Sequence, residues 1–268
     1  MPRQDRERID VLLVERGLAE TRAKAQALVL SGDVSSAGTR IDKPGQRIPR
    51  EAEVRVKPGR RWVGRGAEKI GPALDAFGLD PSGLRILDVG ASTGGFTQLV
   101  LERGAAEVLA LDVGRGQLDW ILRSDPRVRP LEGINARHLT SDMLPAVPDW
   151  AVIDVSFISL ELVLPPVAAC LAREGTIVAL VKPQFEVGKG QVGKGGIVRD
   201  RDLHREVLER LVEFVSARAW TCRGICPAGL QGATGNQEYF IQVACRATTQ
   251  AVDPAAWIDA AVRTENPS

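Results

Sequence analysis

Four charged residues stand where a charge is costly. Lys182 follows directly on the apolar run "TIVALV", and Asp154 on "WAVI". Glu238 opens "EYFIQV", and Lys69 lies in "GRGAEKI", ahead of the first long apolar run. A charge beside a buried strand must be paired or functional. Two lysines and two carboxylates brought together would hold one lysine partly deprotonated and position the other, since like charge and desolvation both favour the neutral amine. Such a set suits a hydroxyl that is a poor nucleophile. It must be aimed in line at an electrophilic carbon while its proton is removed. A ribose 2′-hydroxyl undergoing methylation is such a group. The competing reading is a pair of structural salt bridges, which are weak stabilisers and costly to bury.

The stretch "ILDVGASTGGFTQLVLERG", Ile86 to Gly104, supplies a second piece of chemistry. It reads as a buried strand, a glycine loop and an amphipathic helix. The spacing D-x-G-x-x-x-G-G differs from the G-x-G-x-x-G of dinucleotide binding. A second acid, Asp112, ends the run "LALD", where it can accept both hydroxyls of an adenosine ribose. Together these suit an adenosine ligand with no pyrophosphate to cradle, and S-adenosylmethionine fits. The candidates for holding it are Asp88, Gly90, Ser92, Gly94, Gly95, Phe96 and Asp112. A second glycine loop, "GKGQVGKGG", contains G-x-x-x-x-G-K but continues with Gly195 where a phosphate-binding loop needs Ser or Thr, so nucleoside triphosphate binding is rejected. Its Lys189 and Lys194 suit either a flap over a nucleic-acid backbone or a merely flexible surface loop. Cys222 and Cys226 form a C-x3-C with no second ligand pair, so no metal is expected.

The elements that must position these residues alternate from Leu84 onward. Strands are expected at "LRILDVG", "EVLALDVG", "DWAVIDVSF", "TIVALVKP" and "EYFIQVAC", with helices between, the longest at "RDLHREVLERLVEFVSARAW". This pattern predicts an α/β fold with a parallel, doubly wound, Rossmann-like sheet and a ligand beyond its carboxyl ends. The chain has 268 residues, 44% hydrophobic and 26% charged, with four cysteines. Few cysteines point to reduced thiols and a cytoplasmic protein. No run of roughly 18 apolar residues suggests a membrane span, and the charged start "MPRQDRERID" does not resemble a secretory signal.

Charge is unevenly spread. The first 63 residues carry 14 Lys and Arg against 9 Asp and Glu, and the remainder 21 against 25. A basic head on an acidic body suggests that the head meets a polyanion. Within that head, Ile9, Leu12, Leu13 and Leu18 suggest a short helix closed by Gly17. Thr21 then caps a second helix whose apolar face is expected from Ala25, Ala27, Leu28 and Leu30, and a small β element follows. "RID", "GLAETRAKA" and "SGDV" together resemble the S4 RNA-binding domain. That resemblance implies that Arg8, Arg22 and Lys24 face RNA phosphates. The stretch "KPGRRWVGRG" adds Arg60, Arg61 and Arg65 around Trp62, ordered against RNA or against the next domain. The expected division is an S4-like domain over 1–59, a linker over 60–63 and a methyltransferase domain over 64–268.

"GRGAEK", "DVGASTGGFT", "ALDVGRGQL", "IDVSFISL", "VKPQFEVG", "GKGGIVRD" and "GNQEYF" are similar to the TlyA (haemolysin A) family. These are ribosomal-RNA 2′-O-methyltransferases with an S4 head and an FtsJ-like catalytic domain. The resemblance implies that Lys69, Asp154, Lys182 and Glu238 are a catalytic tetrad, and that Asp154 and Phe157 lie beside the cofactor, Phe157 also near the target base. It further implies a cytidine ribose in small-subunit RNA, large-subunit RNA or both, and a link to sensitivity to capreomycin-class antibiotics. No obligate protein partner is evident. The alternatives are a non-catalytic RNA-binding assembly factor, a haemolysin, and an S4-containing pseudouridine synthase, which would need a different catalytic domain.

Overall fold

A computed structural model describes residues 5–57, 62–188, 190–232, 234–247 and 253–263. The chain divides into two units, Met1–Arg61 and Trp62–Ser268.

In the first unit a strand, β1 (Arg6–Arg8), runs into α1 (Ile9–Glu15), followed by α2 (Arg22–Leu30). Gly17 takes a left-handed φ of 68° and turns the chain after α1, and the Thr21 side chain accepts a hydrogen bond from the Lys24 amide at the start of α2. Four short strands complete it: β2 (Val34–Ser36), β3 (Thr39–Arg40), β4 (Arg47–Pro49) and β5 (Val54–Val56). They pair as β1–β4 and as β3–β2–β5. The core is small: Ile9, Leu12, Leu13, Ala25, Val29, Val34, Ile41 and Ile48. The expected apolar face of α2 needs correction. Ala25 and Val29, four residues apart on one face, are buried, whereas Leu30 is 68% exposed.

The second unit is a seven-stranded sheet between two helical layers. In chain order its elements are α3 (Gly66–Ala76), β6 (Arg85–Val89), α4 (Gly95–Glu102), β7 (Glu107–Asp112), α5 (Trp120–Arg123), β8 (Val128–Glu132), β9 (Trp150–Ile153), α6 (Leu160–Cys170), β10 (Thr176–Val181), α7 (Pro183–Glu186), α8 (Arg201–Ser216), β11 (Thr221–Pro227), β12 (Tyr239–Ala244) and α9 (Pro254–Arg263). The strand order is β11-β12-β10-β9-β6-β7-β8. Alternate residues of each strand face opposite layers. Leu87, Val89, Leu109, Leu111 and Ile153 join the core with α6, α8 and α9. Ile86, Val108, Val152, Leu180 and Phe240 join the core with α3, α4 and α5.

The sheet is not wholly parallel as expected. β12 lies between β10 and β11 and is antiparallel to both. The physical reason is the connection: β11 reaches β12 through a loop, and only a crossover, usually helical, could return the chain in parallel. β8 and β11 went unforeseen because they are edge strands with polar or turn-forming residues inside, "VRPLE" and "TCRGICP". The chain leaves β6 for β7 on one side, while β9 pairs on the other. The strand order therefore reverses between β6 and β9, and a ligand crevice is expected beyond their carboxyl ends.

Candidate active site

The turn after β6 is shaped by close backbone approach. Gly90 has φ 83°, and a Cβ there would lie 2.3 Å from the Asp154 carbonyl oxygen. Only glycine lets the loop pass so near the neighbouring strand end. Asp88, one residue before the last of β6, is fully buried beneath this turn. Its Oδ2 accepts from the Thr97 hydroxyl at 2.6 Å, and its Oδ1 has no hydrogen-bond partner among the described residues. Burial, chiefly, pushes this carboxyl up to about 7. Asp88 therefore orders the loop from below and is not on the crevice wall.

The crevice itself has a volume of about 510 Å³, within the usual range for small-molecule sites. Gly90, Ser92, Asp112, Asp154 and Phe157, all cofactor candidates from the sequence, line it. Gln117, Asn135, Val155 and Ser156 line it as well and were not foreseen. Gly94, Gly95 and Phe96 do not. Gly94 turns with φ 98° against Leu118 and Leu122. Phe96 is buried against Phe240, with ring centroids 6.0 Å apart. Gly95 and Gly66 are in close backbone contact, a Cβ on Gly95 falling 3.1 Å from the Gly66 Cα. The missing side chains let α3 approach the start of α4.

The residues present fit an adenosine ligand. The Asp112 carboxylate accepts from the amides of Ser92 at 2.8 Å and Gly114 at 2.7 Å, which fixes it at the crevice rim with lone pairs to spare. Asp112→Ala is expected to weaken binding of S-adenosylhomocysteine by ~1.5–3 kcal/mol, the loss of a charged hydrogen-bond partner. Calorimetry showing unchanged affinity would remove Asp112 from the cofactor site.

The four charged residues meet at one end of the sheet. Register requires it: Val181 pairs with Tyr239, so Lys182 and Glu238, the next residues outward, leave the antiparallel pair side by side. Asp154 extends β9 by one residue on the adjoining strand, its amide donating to the Val89 carbonyl. Lys69 comes from α3, on the first helical turns that the Gly66–Gly95 approach brings in. Two ion pairs result. Lys69 Nζ lies 2.6 Å from Glu238 Oε2, both side chains buried. Lys182 Nζ lies 2.5 Å from Asp154 Oδ1 and donates to Ser156 Oγ at 2.9 Å. Each lysine is thus matched to a carboxylate. The Lys182–Asp154 contact is ionic, since no aligned hydrogen bond from the described residues reaches Asp154 Oδ1.

Phe157 stands at the bend that follows the crevice-lining residues Asp154, Val155 and Ser156. It is 90% exposed, holds φ 63°, and lies 4.9 Å from the Phe185 ring centroid to centroid. An exposed aromatic in a strained backbone region marks a site held in place by its surroundings. Part of that hold is Glu186, which the sequence did not single out. Its buried carboxylate accepts from Ser159 Oγ at 2.7 Å and from the Leu160 amide at 2.8 Å, tying α7 to the start of α6.

The basic residues assigned to RNA divide. Arg8 and Arg22 converge on Asp10, which is fully buried. Arg8 forms two hydrogen bonds to it at 2.9 Å and Arg22 one at 3.0 Å, with Gln26 adding another at 2.9 Å. The Arg8 hydrogen bonds, foremost, hold the Asp10 carboxyl far below the usual carboxylate range. Both arginines therefore have structural work within the head, although each stays partly exposed. Lys24 pairs with Glu20 one turn away. Arg65 and Lys194 are exposed. Arg60, Arg61 and Lys189 lie outside the described residues. Cys222 and Cys226 are free thiols on β11, and burial pushes each up to about 11.

Comparison with known proteins agrees with this anatomy. The FtsJ-like methyltransferase family matches residues 62–244, and the S4 domain family residues 7–54. The chain is 47% identical over 238 residues to the 16S/23S rRNA (cytidine-2′-O)-methyltransferase TlyA of Mycobacterium tuberculosis, covering 88% of this chain and 89% of that protein. It is 45% identical to YqxC of Bacillus subtilis, provisionally named an rRNA methyltransferase, covering 89% of this chain and 85% of that protein. A solved structure from Streptococcus thermophilus, provisionally described as a hemolysin, superposes with a TM-score of 0.73 at 41% identity and covers 97% of this chain and 95% of its own. With an S4 match, an FtsJ-like match and such identity over most of its length, the chain belongs to the TlyA family of FtsJ-like methyltransferases.

Proposed function

We propose that the protein transfers a methyl group from S-adenosylmethionine to the ribose 2′-oxygen of a cytidine in ribosomal RNA, with Lys69, Asp154, Lys182 and Glu238 as the catalytic set. The observation that carries this reading is the double position of Asp154. It lines the crevice and is at the same time ion-paired to Lys182. The crevice and the paired charges are therefore adjacent, which supports in-line transfer from a cofactor in the one to a hydroxyl beside the other.

S-adenosylmethionine supplies, when bound, a methyl carbon on a positively charged sulfur. Everything else falls to the chain. In this reading Lys182 Nζ, fixed between Asp154 and Ser156, aligns the ribose oxygen as it attacks. The hydroxyl proton must leave as the new bond forms, and in the ionised Lys182–Asp154 pair the group that can take it up is the Asp154 carboxylate. The Lys69–Glu238 pair, buried alongside, fixes the end of β12 and completes the charge pattern. Phe157 offers an exposed ring for the unstacked base, since sequence-specific RNA recognition targets splayed bases that stack on aromatics.

The test is incubation with labelled S-adenosylmethionine and separated small and large ribosomal subunits, followed by mapping of the label. Label at a cytidine in either subunit supports the reading. Cofactor binding without transfer to any RNA would instead make the protein a non-catalytic assembly factor.

The head has its own core and carries the surplus of positive charge. Residues 62–268 alone, the second unit with Trp62 and Val63 kept on its core, are expected to fold and bind S-adenosylhomocysteine while losing most RNA affinity, with a shallower salt dependence. A truncated chain with full affinity and an unchanged salt slope would move the RNA surface to the acidic body.

A further inference from the structure

The turn from Gly193 to Val198 is tied to the segment that carries Glu238, and two buried polar side chains make the tie. Asn236 is fully buried. Its Oδ1 accepts from the Val198 amide at 3.0 Å, and its Nδ2 donates to the Gly196 carbonyl at 2.8 Å and to Thr234 Oγ1 at 2.9 Å. His204 on α8 is 4% exposed. Its Nε2 lies 2.9 Å from the Val198 carbonyl and its Nδ1 2.7 Å from the Tyr239 hydroxyl. A carbonyl only accepts, so Nε2 carries the proton and Nδ1 accepts from Tyr239. Burial pushes the imidazole down from its ordinary value, which keeps this neutral form.

Val198 is therefore gripped through both of its backbone groups. One grip leads to Asn236, two residues before Glu238, and the other through His204 to Tyr239, one residue after it. Between them Glu238 holds Lys69. On the far side of the turn stands exposed Lys194, beside Gly195 and Gly196, each with φ 77°. Fully satisfied buried polar networks of this kind rigidify what they connect.

We infer that Asn236 and His204 are positioning residues that couple the Lys194 turn to the Lys69–Glu238 pair, so that RNA held by the turn sets the geometry of that pair. This rests on the reading of the site as an RNA 2′-O-methyltransferase. Neither residue lines the crevice, so cofactor affinity should be insensitive to them.

The experiment compares full-length wild type with Asn236→Ala, His204→Ala, His204→Gln and Tyr239→Phe. Readouts are kcat and KM for the RNA, affinity for S-adenosylhomocysteine, unfolding temperature, and the rate of trypsin cleavage after Lys194. Both alanine variants should lose about tenfold or more in kcat, as misplacement of a catalytic group does, while cofactor affinity stays within about twofold. Cleavage after Lys194 should accelerate in both. His204→Gln, whose side-chain amide can still donate to the Val198 carbonyl, should recover most of kcat. Should the alanine variants not fold, Tyr239→Phe removes one oxygen and should still lower kcat without changing cofactor affinity.

Unchanged kcat in these variants beside an active wild type overturns the inference. So does a kcat loss that tracks unfolding temperature and cofactor affinity together, since that is a structural effect only. If wild type methylates no RNA, the functional reading fails. The tether is then judged by proteolysis, and cleavage after Lys194 at the wild-type rate in both alanine variants overturns it.

Discussion

Lys182→Ala is expected to lower methyl transfer by ~10²–10⁴-fold, the range supplied by a positioned acid–base group. RNA binding and cofactor binding should remain close to wild type. The reason is geometric. Lys182 Nζ touches Asp154 and Ser156 at the crevice end, where its work begins only as the hydroxyl attacks. A group that acts in the transition state and not in the ground state costs kcat and leaves affinity alone. Stopped-assay rates at saturating RNA and cofactor, with calorimetry on S-adenosylhomocysteine, separate the two. A variant whose kcat is intact and whose KM rises would make Lys182 a binding residue.

Glu238→Ala should destabilise the protein by ~3–5 kcal/mol, the usual cost of stranding one member of a buried ion pair. Lys69 would be left 7% exposed with its 2.6 Å partner gone. The double variant Lys69→Met/Glu238→Leu should recover most of that stability, because apolar side chains of similar volume replace a buried pair at little cost. It should nevertheless remain inactive. Denaturant unfolding of the single and double variants checks the first claim and rates check the second. A double variant as unstable as the single one would mean that the pair contributes net stability. An active double variant would remove Lys69 and Glu238 from the catalytic set.

Much of this site was legible because the relevant residues break a local rule. Lys182 and Asp154 are charges that end apolar strands, and Gly90 is a glycine at a strand end where the backbone turns sharply. Asp112 was legible for the same reason as Asp154. What sequence could not supply was sidedness. Asp88 and Phe96 belong to the same loop motif as Ser92, yet they point beneath the turn into the core. Adjacency in the chain does not tell which side of a turn a side chain takes. Asn135 was missed with β8, an edge strand too polar to stand out. Glu186, Asn236 and His204 have partners 26 to 40 residues distant in the chain, or across a loop, and local pattern gives no sign of them. The head offers the opposite lesson. Arg8 and Arg22 were assigned to phosphate by charge and family position, although Asp10, the residue they hold, lies in the same "RID" motif.

The central claim is that the methyl goes to a ribose oxygen, and alkaline hydrolysis of the product RNA tests it most directly. A nucleotide methylated there cannot use its own 2′-oxygen to cleave the neighbouring phosphodiester. RNA treated with the wild-type protein should therefore resist alkali at one labelled cytidine, and RNA treated with Lys182→Ala should be cut there normally. If the labelled position is cut as readily as its neighbours, the methyl lies on the base, and the catalytic role given to Lys69, Asp154, Lys182 and Glu238 is wrong.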